Sequence, residues 1–101
     1  MDIFIEKSVE KFIKLLDEKS TAKILRSIDL LEEFNYKLGM PHCKKISKAI
    51  FELRVRGKDE IRIFYTTNKN KIILFHAFIK KSNRIPRKEL ELGKKKFKAL
   101  T

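Results

Sequence analysis

Residues 51–89 read FELRVRGKDEIRIFYTTNKNKIILFHAFIKKSNRIPRKE, and no other stretch limits the possible folds of this chain so tightly. Apolar and charged side chains alternate through it, the pattern of strands with one buried face. In residues 51–56, Phe51, Leu53 and Val55 share one side while Arg54 and Arg56 take the other. In residues 61–65 the odd positions are apolar and Arg62 points away from them. A three-residue loop at 57–59 pairs Val55 with Ile61 and Leu53 with Ile63, and so sets Arg54 opposite Arg62. Like charges facing each other weaken a sheet, so a chain that keeps such a pair is expected to use it.

The third strand follows a turn at Asn68, Lys69 and Asn70. Closed in the same way, this turn pairs Ile63 with Phe75 and Ile61 with Ala77, and brings His76 beside Arg62. One face then carries Phe51, Leu53, Val55, Ile61, Ile63, Tyr65, Ile73, Phe75, Ala77 and Ile79, and packs on helices. The other carries Arg54, Arg56, Arg62, Phe64, His76, Phe78 and Lys80, a basic face suited to nucleic-acid phosphate.

Flanking segments supply the helices. Residues 2–5 form a short first strand. Ser8 is a candidate N-cap, and Val9, Phe12, Ile13 and Leu16 recur at helical spacing over 9–18. Ser20 can cap a second helix, with Ile24, Leu25, Ile28, Leu31, Phe34 and Leu38 on one face and Gly39 and Pro41 as its stop. The break at Lys19–Ser20 folds the two helices into an antiparallel hairpin. Asp29, Glu32 and Glu33 form a solvated acidic face, and residues 41–48 are a loop. Pro86 opens a last, basic helix with Leu90, Gly93, Phe97 and Leu100 on its packing side. Phe64 and Phe78 are expected to pack beneath it, with stacking on bases as the alternative. The fold class is α+β: an N-terminal helical hairpin on a small antiparallel sheet of three to four strands, with a C-terminal basic helix.

The chain has 101 residues, the size of a single domain spanning 1–101. Its formal charge of +12 is uneven: residues 1–43 carry a net −1 and residues 44–101 a net +13. The second part is therefore the one that meets a polyanion. No apolar run is long enough for a bilayer and the N-terminus does not read as a secretion signal, so no membrane partner and a cytoplasmic location are expected. Cys43 is the single cysteine, and with His42 it makes too few ligands for zinc. No metal site and no cofactor are expected.

The order ELRVR, RIFY, HAFIKK and IPRKELELGKKK, at residues 52–56, 62–65, 76–81 and 85–96, resembles the RelE/ParE superfamily and within it the HigB-like, phage-related branch. The likeness spans nearly the whole chain. Ile85 stands where that branch usually has threonine before the proline, and Ser82 replaces the common threonine after the lysine pair. The resemblance implies a RelE-like fold and a toxin of a type II toxin–antitoxin system. Such toxins are mostly endoribonucleases (mRNA interferases) acting on translated mRNA at the ribosome. A cognate antitoxin, often a helix-turn-helix protein from the adjacent gene, neutralises them. The implied partners are thus antitoxin, mRNA and ribosome. Two alternatives remain open: a ParE-like toxin that poisons gyrase, and a non-catalytic RNA- or ribosome-binding protein.

Metal-independent cleavage of RNA needs a base for the 2′-OH, cations for the charge on the phosphate, a proton for the leaving 5′-oxygen and a hold on the nucleotide. Arginine stays charged and donates in pairs, which suits phosphate. Arg54, Arg62 and Lys81 are the first candidates for charge stabilisation. Arg56 and Lys80 come next, then Arg84. Lys44, Lys45, Lys94 and Lys95 are further candidates for holding RNA. His76 is an acid–base candidate by its titration range, and Tyr65 matches a family aromatic position although its parity aims it at the core. Lys80 and Lys81, as lysines in a cationic cluster, are other candidates for the base. His42 can reach the rim. The chain has no nucleophile elbow, no phosphate-binding glycine loop and no paired carboxylates on the basic face, where Glu52 is nearly alone.

Overall fold

The computed structural model describes residues 2–100. Five strands form one mixed sheet: β1 (Asp2–Ile5), β2 (Cys43–Lys45), β3 (Phe51–Val55), β4 (Glu60–Asn68) and β5 (Lys71–Lys80), in the order β1-β5-β4-β3-β2. β1 runs parallel to β5 and every other pairing is antiparallel. Helices cover both faces. Side chains of α1 (Lys7–Lys14) and α2 (Glu18–Phe34) join one core with Leu53, Ile61, Ile63, Ile72 and Leu74. The opposite face packs on α3 (Arg87–Lys98), where Phe64, Phe75 and Phe78 form a second core with Leu90, Phe97 and Leu100. Full burial of side chains such as Leu53 or Ile63 stabilises the fold by roughly 2 kcal/mol each.

Both sequence-proposed caps shift by a few residues. Glu6 caps α1, its carboxylate accepting from the Ser8 amide and hydroxyl, and Asp17 caps α2 by accepting from the Ser20 amide at 3.3 Å. An acidic side chain at the cap also meets the positive end of the helix, which a serine does not. The helices accordingly break at Leu15–Leu16, before Asp17, rather than at Lys19–Ser20. α2 stops at Phe34, ahead of Gly39, because Asn35 takes φ 52° and the chain tightens into a 3₁₀ turn, Asn35–Lys37. Leu25 and Phe34 are exposed and leave the expected apolar stripe, whereas Asp29, Glu32 and Glu33 lie in solvent as expected.

The expected loop at 41–48 contains β2, an edge strand too short to show alternation. With β1 it raises the strand count above the expected three to four. The β3–β4 register agrees with the sequence reading: Val55 pairs with Ile61, Leu53 with Ile63 and Arg54 with Arg62. The β4–β5 register does not. The connection is a two-residue turn, with Lys69 at φ 47° and Asn70 at φ 66°, so Asn68 pairs with Lys71. A bulge then intervenes: Tyr65 pairs with Leu74 but Phe64 with His76, which leaves Phe75 as the extra residue. Ile61 therefore faces Ile79 and Ile63 faces Ala77. Ile73 and Phe75, expected beneath α1 and α2, face α3 instead, while Ile72 and Leu74 take their place. His76 lands beside Phe64, and Phe78 is the partner of Arg62.

Candidate nucleic-acid interface

The face that carries the arginines is divided in two, with Phe64 and Phe78 packed beneath the last helix as expected. Its central part, Phe64, Phe75, His76 and Phe78, is sealed by α3. Gly93 makes that seal possible, since a methyl group there would lie 2.5 Å from Phe64 Cδ2. Beyond the helix the arginines and lysines remain. They surround an open groove of ≈310 Å³ lined by Arg54, Arg56, Glu60, Arg62, Lys80, Lys81, Ser82 and Asn83. β3 supplies Arg54 and, just past its end, Arg56; β4 supplies Arg62; β5 supplies Lys80 and, just past its end, Lys81.

Two carboxylates organise these cations. Glu52 Oε1 lies 3.6 Å from Arg54 Nε and Glu52 Oε2 3.6 Å from Arg62 Nε. Glu60 Oε2 lies 3.6 Å from Arg62 Nη1, which also donates to the Ile61 carbonyl at 3.1 Å. At 3.6 Å these pairs are held by charge rather than by hydrogen bonds. Accordingly Glu52 Oε2, Glu60 Oε2, Arg54 Nε and Arg62 Nε have no hydrogen-bond partner. Arg62 is only 2% exposed and forms the floor, whereas Arg54 is partly open and touches the Met40 sulfur through Nη1 at 3.5 Å. Glu52 and Glu60 were the residues that sequence reasoning missed as site components. Parity places Glu52 on the face of Arg54, but its pairing with Arg62, and that of Glu60, follows only from β3 lying beside β4.

The other candidates lie elsewhere. His76 is buried between β5 and α3, with Nε2 2.9 Å from Glu89 Oε1 and Nδ1 3.0 Å from Lys96 Nζ. A neutral ring with its proton on Nε2 satisfies both contacts, donating to Glu89 and accepting from Lys96. Burial and, more weakly, Lys96 push its pKa below the ordinary histidine value, while Glu89 pulls the other way. Tyr65 is buried on the face of α1 and α2, stacked on Phe51, away from the arginine groove. Burial, then the neighbouring Cys43 thiol, raises its phenol well above the ordinary range. The Cys43 thiol donates to the Leu38 carbonyl at 2.7 Å. Lys44 shares the parity of Glu52 on the exposed edge strand, and Lys45 lies 6.0 Å from the Phe51 ring on the other face. Arg84 is exposed in the bend before α3, and Lys94 and Lys95 are exposed on α3. None of these three lines the groove. Among the described residues no three His, Cys, Asp or Glu side chains cluster as metal ligands would, and no helix is long and apolar enough to cross a membrane.

Residues 11–98 match the family model of phage-derived Gp49-like proteins (DUF891). The chain belongs to this Gp49-like family. Its fold is also similar to a chain in the crystal structure of the heterotetrameric YoeB–YefM toxin–antitoxin complex from Staphylococcus aureus, with a TM-score of 0.55 and 18% identity over 73% of this chain and 90% of that one. At that identity the likeness concerns the fold. A search among curated proteins finds no match. This Gp49-like chain thus carries an open basic groove beside its sheet and a sealed aromatic core beneath α3.

Proposed function

We propose that this Gp49-like protein is the toxin of a type II toxin–antitoxin system, of the HigB-like branch, and an endoribonuclease that cuts translated mRNA at the ribosome. The observation that carries the reading is the convergence of Arg54, Arg56, Lys80 and Lys81 around one solvent-open groove above the buried Arg62. Membership of a phage-derived family and likeness to a toxin–antitoxin structure support it. By the same analogy the natural inhibitor is a cognate antitoxin.

The groove suits in-line transfer at an RNA phosphate. The 2′-oxygen attacks the adjacent phosphorus, the bond to the leaving 5′-oxygen breaks, and the upstream fragment ends in a 2′,3′-cyclic phosphate. Arg54 and Arg56 meet the non-bridging oxygens, where charge accumulates, and Arg62 adds its field from below. His76 is held under α3 by Glu89 and Lys96, so proton transfer falls to the lysine pair. One of Lys80 and Lys81 takes the 2′-OH proton, and the other donates to the leaving oxygen.

The test is mapping of RNA ends in a cell-free translation reaction with added protein, comparing wild type with Arg54→Ala and Lys81→Ala. Expected are in-frame cuts within translated codons, with a cyclic phosphate upstream and a 5′-hydroxyl downstream, lost in both variants. Intact mRNA with wild type, or 5′-phosphate ends, would overturn the proposal.

A further inference from the structure

A second groove of ≈310 Å³ adjoins the first. It lies between α2 and β3, and Lys23, Arg26 and His42 line it together with Arg54 and Arg56. Those two arginines border both grooves, so the cavities share a cationic edge, and Leu30, Pro41 and Val55 give the second an apolar lining as well. Lys23 and Arg26 come from α2, in the part of the chain whose net charge is negative. Among the described residues, Lys23, Arg26, Arg56, Lys80 and Lys81 make no side-chain hydrogen bond or ion pair. Their charge is unspent.

The Lys23 side chain lies over Gly57. A methyl group on Gly57 would lie 2.7 Å from Lys23 Nζ and 3.1 Å from its Cδ. The φ of Gly57 is not positive, so the backbone there does not demand glycine. The missing side chain leaves room for Lys23 to lie across the β3–β4 turn, beside Arg56.

We propose that the second groove is a binding subsite for single-stranded RNA: it holds the backbone of nucleotides flanking the segment in the first groove, with Lys23 and Arg26 on successive phosphates and Arg54 and Arg56 at the junction. The proposal rests on the RNA reading above and adds the path of the strand. The contacts are cations on backbone, so the subsite adds affinity with length and little sequence preference.

The experiment is fluorescence anisotropy with 2′-O-methyl oligouridylates, which bind without being cut, a trinucleotide and a dodecanucleotide, over a range of salt. Wild type is compared with the double variant Lys23→Gln, Arg26→Gln and with Gly57→Ala. Glutamine suits an exposed helix position, so the double variant should fold, as circular dichroism checks. Expected is tighter binding of the longer strand by wild type. In the double variant that gain disappears, trinucleotide binding is unchanged, and the log–log salt slope falls by roughly 1.4, about 0.7 per lost phosphate contact. Gly57→Ala should move the slope the same way by less, because it displaces a flexible side chain only. An unchanged slope and length gain in the double variant overturns the subsite while leaving the cleavage reading intact. So does an oligoglutamate peptide that binds more tightly than RNA and loses its binding in the double variant. Failure of wild type to bind either RNA overturns both readings.

Discussion

Arg54 on β3 and Arg62 on β4 stand directly opposite each other, and Glu52 reaches both guanidinium groups at 3.6 Å. The like-charge pair is thus held by a carboxylate that is itself buried. Removing one partner of a buried charge cluster leaves the rest uncompensated. Glu52→Gln should therefore destabilise the fold by about 3 kcal/mol, read as a fall in the urea midpoint. Replacing the cluster with apolar side chains, Glu52→Leu with Arg62→Met, should recover much of that loss. A midpoint unmoved by Glu52→Gln would show that the arginines need no counter-charge.

Gly93 should not tolerate alanine. Helix propensity alone would favour Gly93→Ala by about 1 kcal/mol. The added methyl meets Phe64 Cδ2 at 2.5 Å and Cε2 at 2.7 Å, and Phe64 is wedged against Phe75, Phe78 and His76. Overpacking of a filled core costs about 1–3 kcal/mol, so the variant should be less stable, with amide protection lost first in α3. A more stable Gly93→Ala protein would mean that α3 does not seal this face.

His76 links stability to pH. Its pKa is lowered in the fold, chiefly by burial, so the unfolded chain binds more protons below the ordinary value of 6.5. Stability is then complete above about pH 7 and declines as pH falls through 6.5 toward the lowered value. Protonation also puts a second donor on Nδ1, against the Lys96 ammonium. Glu6, whose carboxyl is lowered from 4.5 by its bonds to Ser8, acts only in a more acidic range. Chemical denaturation across about pH 5 to 7.5 should show the decline in wild type and its absence in His76→Gln. A flat wild-type profile would show that burial of His76 does not link stability to pH.

Tyr65 and the groove should separate in kinetics. Tyr65→Phe removes a hydroxyl on the opposite face of the sheet and should leave the rate of mRNA cutting within about twofold, whereas Lys81→Ala should lower it by roughly 10²-fold or more. Loss of cutting in Tyr65→Phe at unchanged stability would place the chemistry elsewhere.

Much of the fold was legible because its signals are local. Parity in residues 51–56 and 61–65 set the faces of β3 and β4, and one short hairpin set their register. The face that Arg54 and Arg62 take was legible for the same reason. The β4–β5 register was not legible, because the turn at Lys69–Asn70 and the bulge at Phe75 each shift pairing by one residue. Their effects cancel in parity only beyond the bulge, so Phe64, His76 and Phe78 kept their expected face while Ile73 and Phe75 changed theirs.

Residue types and spacing along the chain settled that there are strands and amphipathic helices, and that a cluster of arginine and lysine belongs to one face. Packing settled which part of that face meets solvent. α3 folds back over Phe64 and His76 because Gly93 lets it approach, and this takes the histidine out of the groove. Glu52 and Glu60 acquire meaning only when β3 and β4 lie side by side, since burial and charge pairing depend on what surrounds a side chain after the chain has folded. Lys23 and Arg26, far from Arg54 and Arg56 in sequence, come to line one groove with them for the same physical reason.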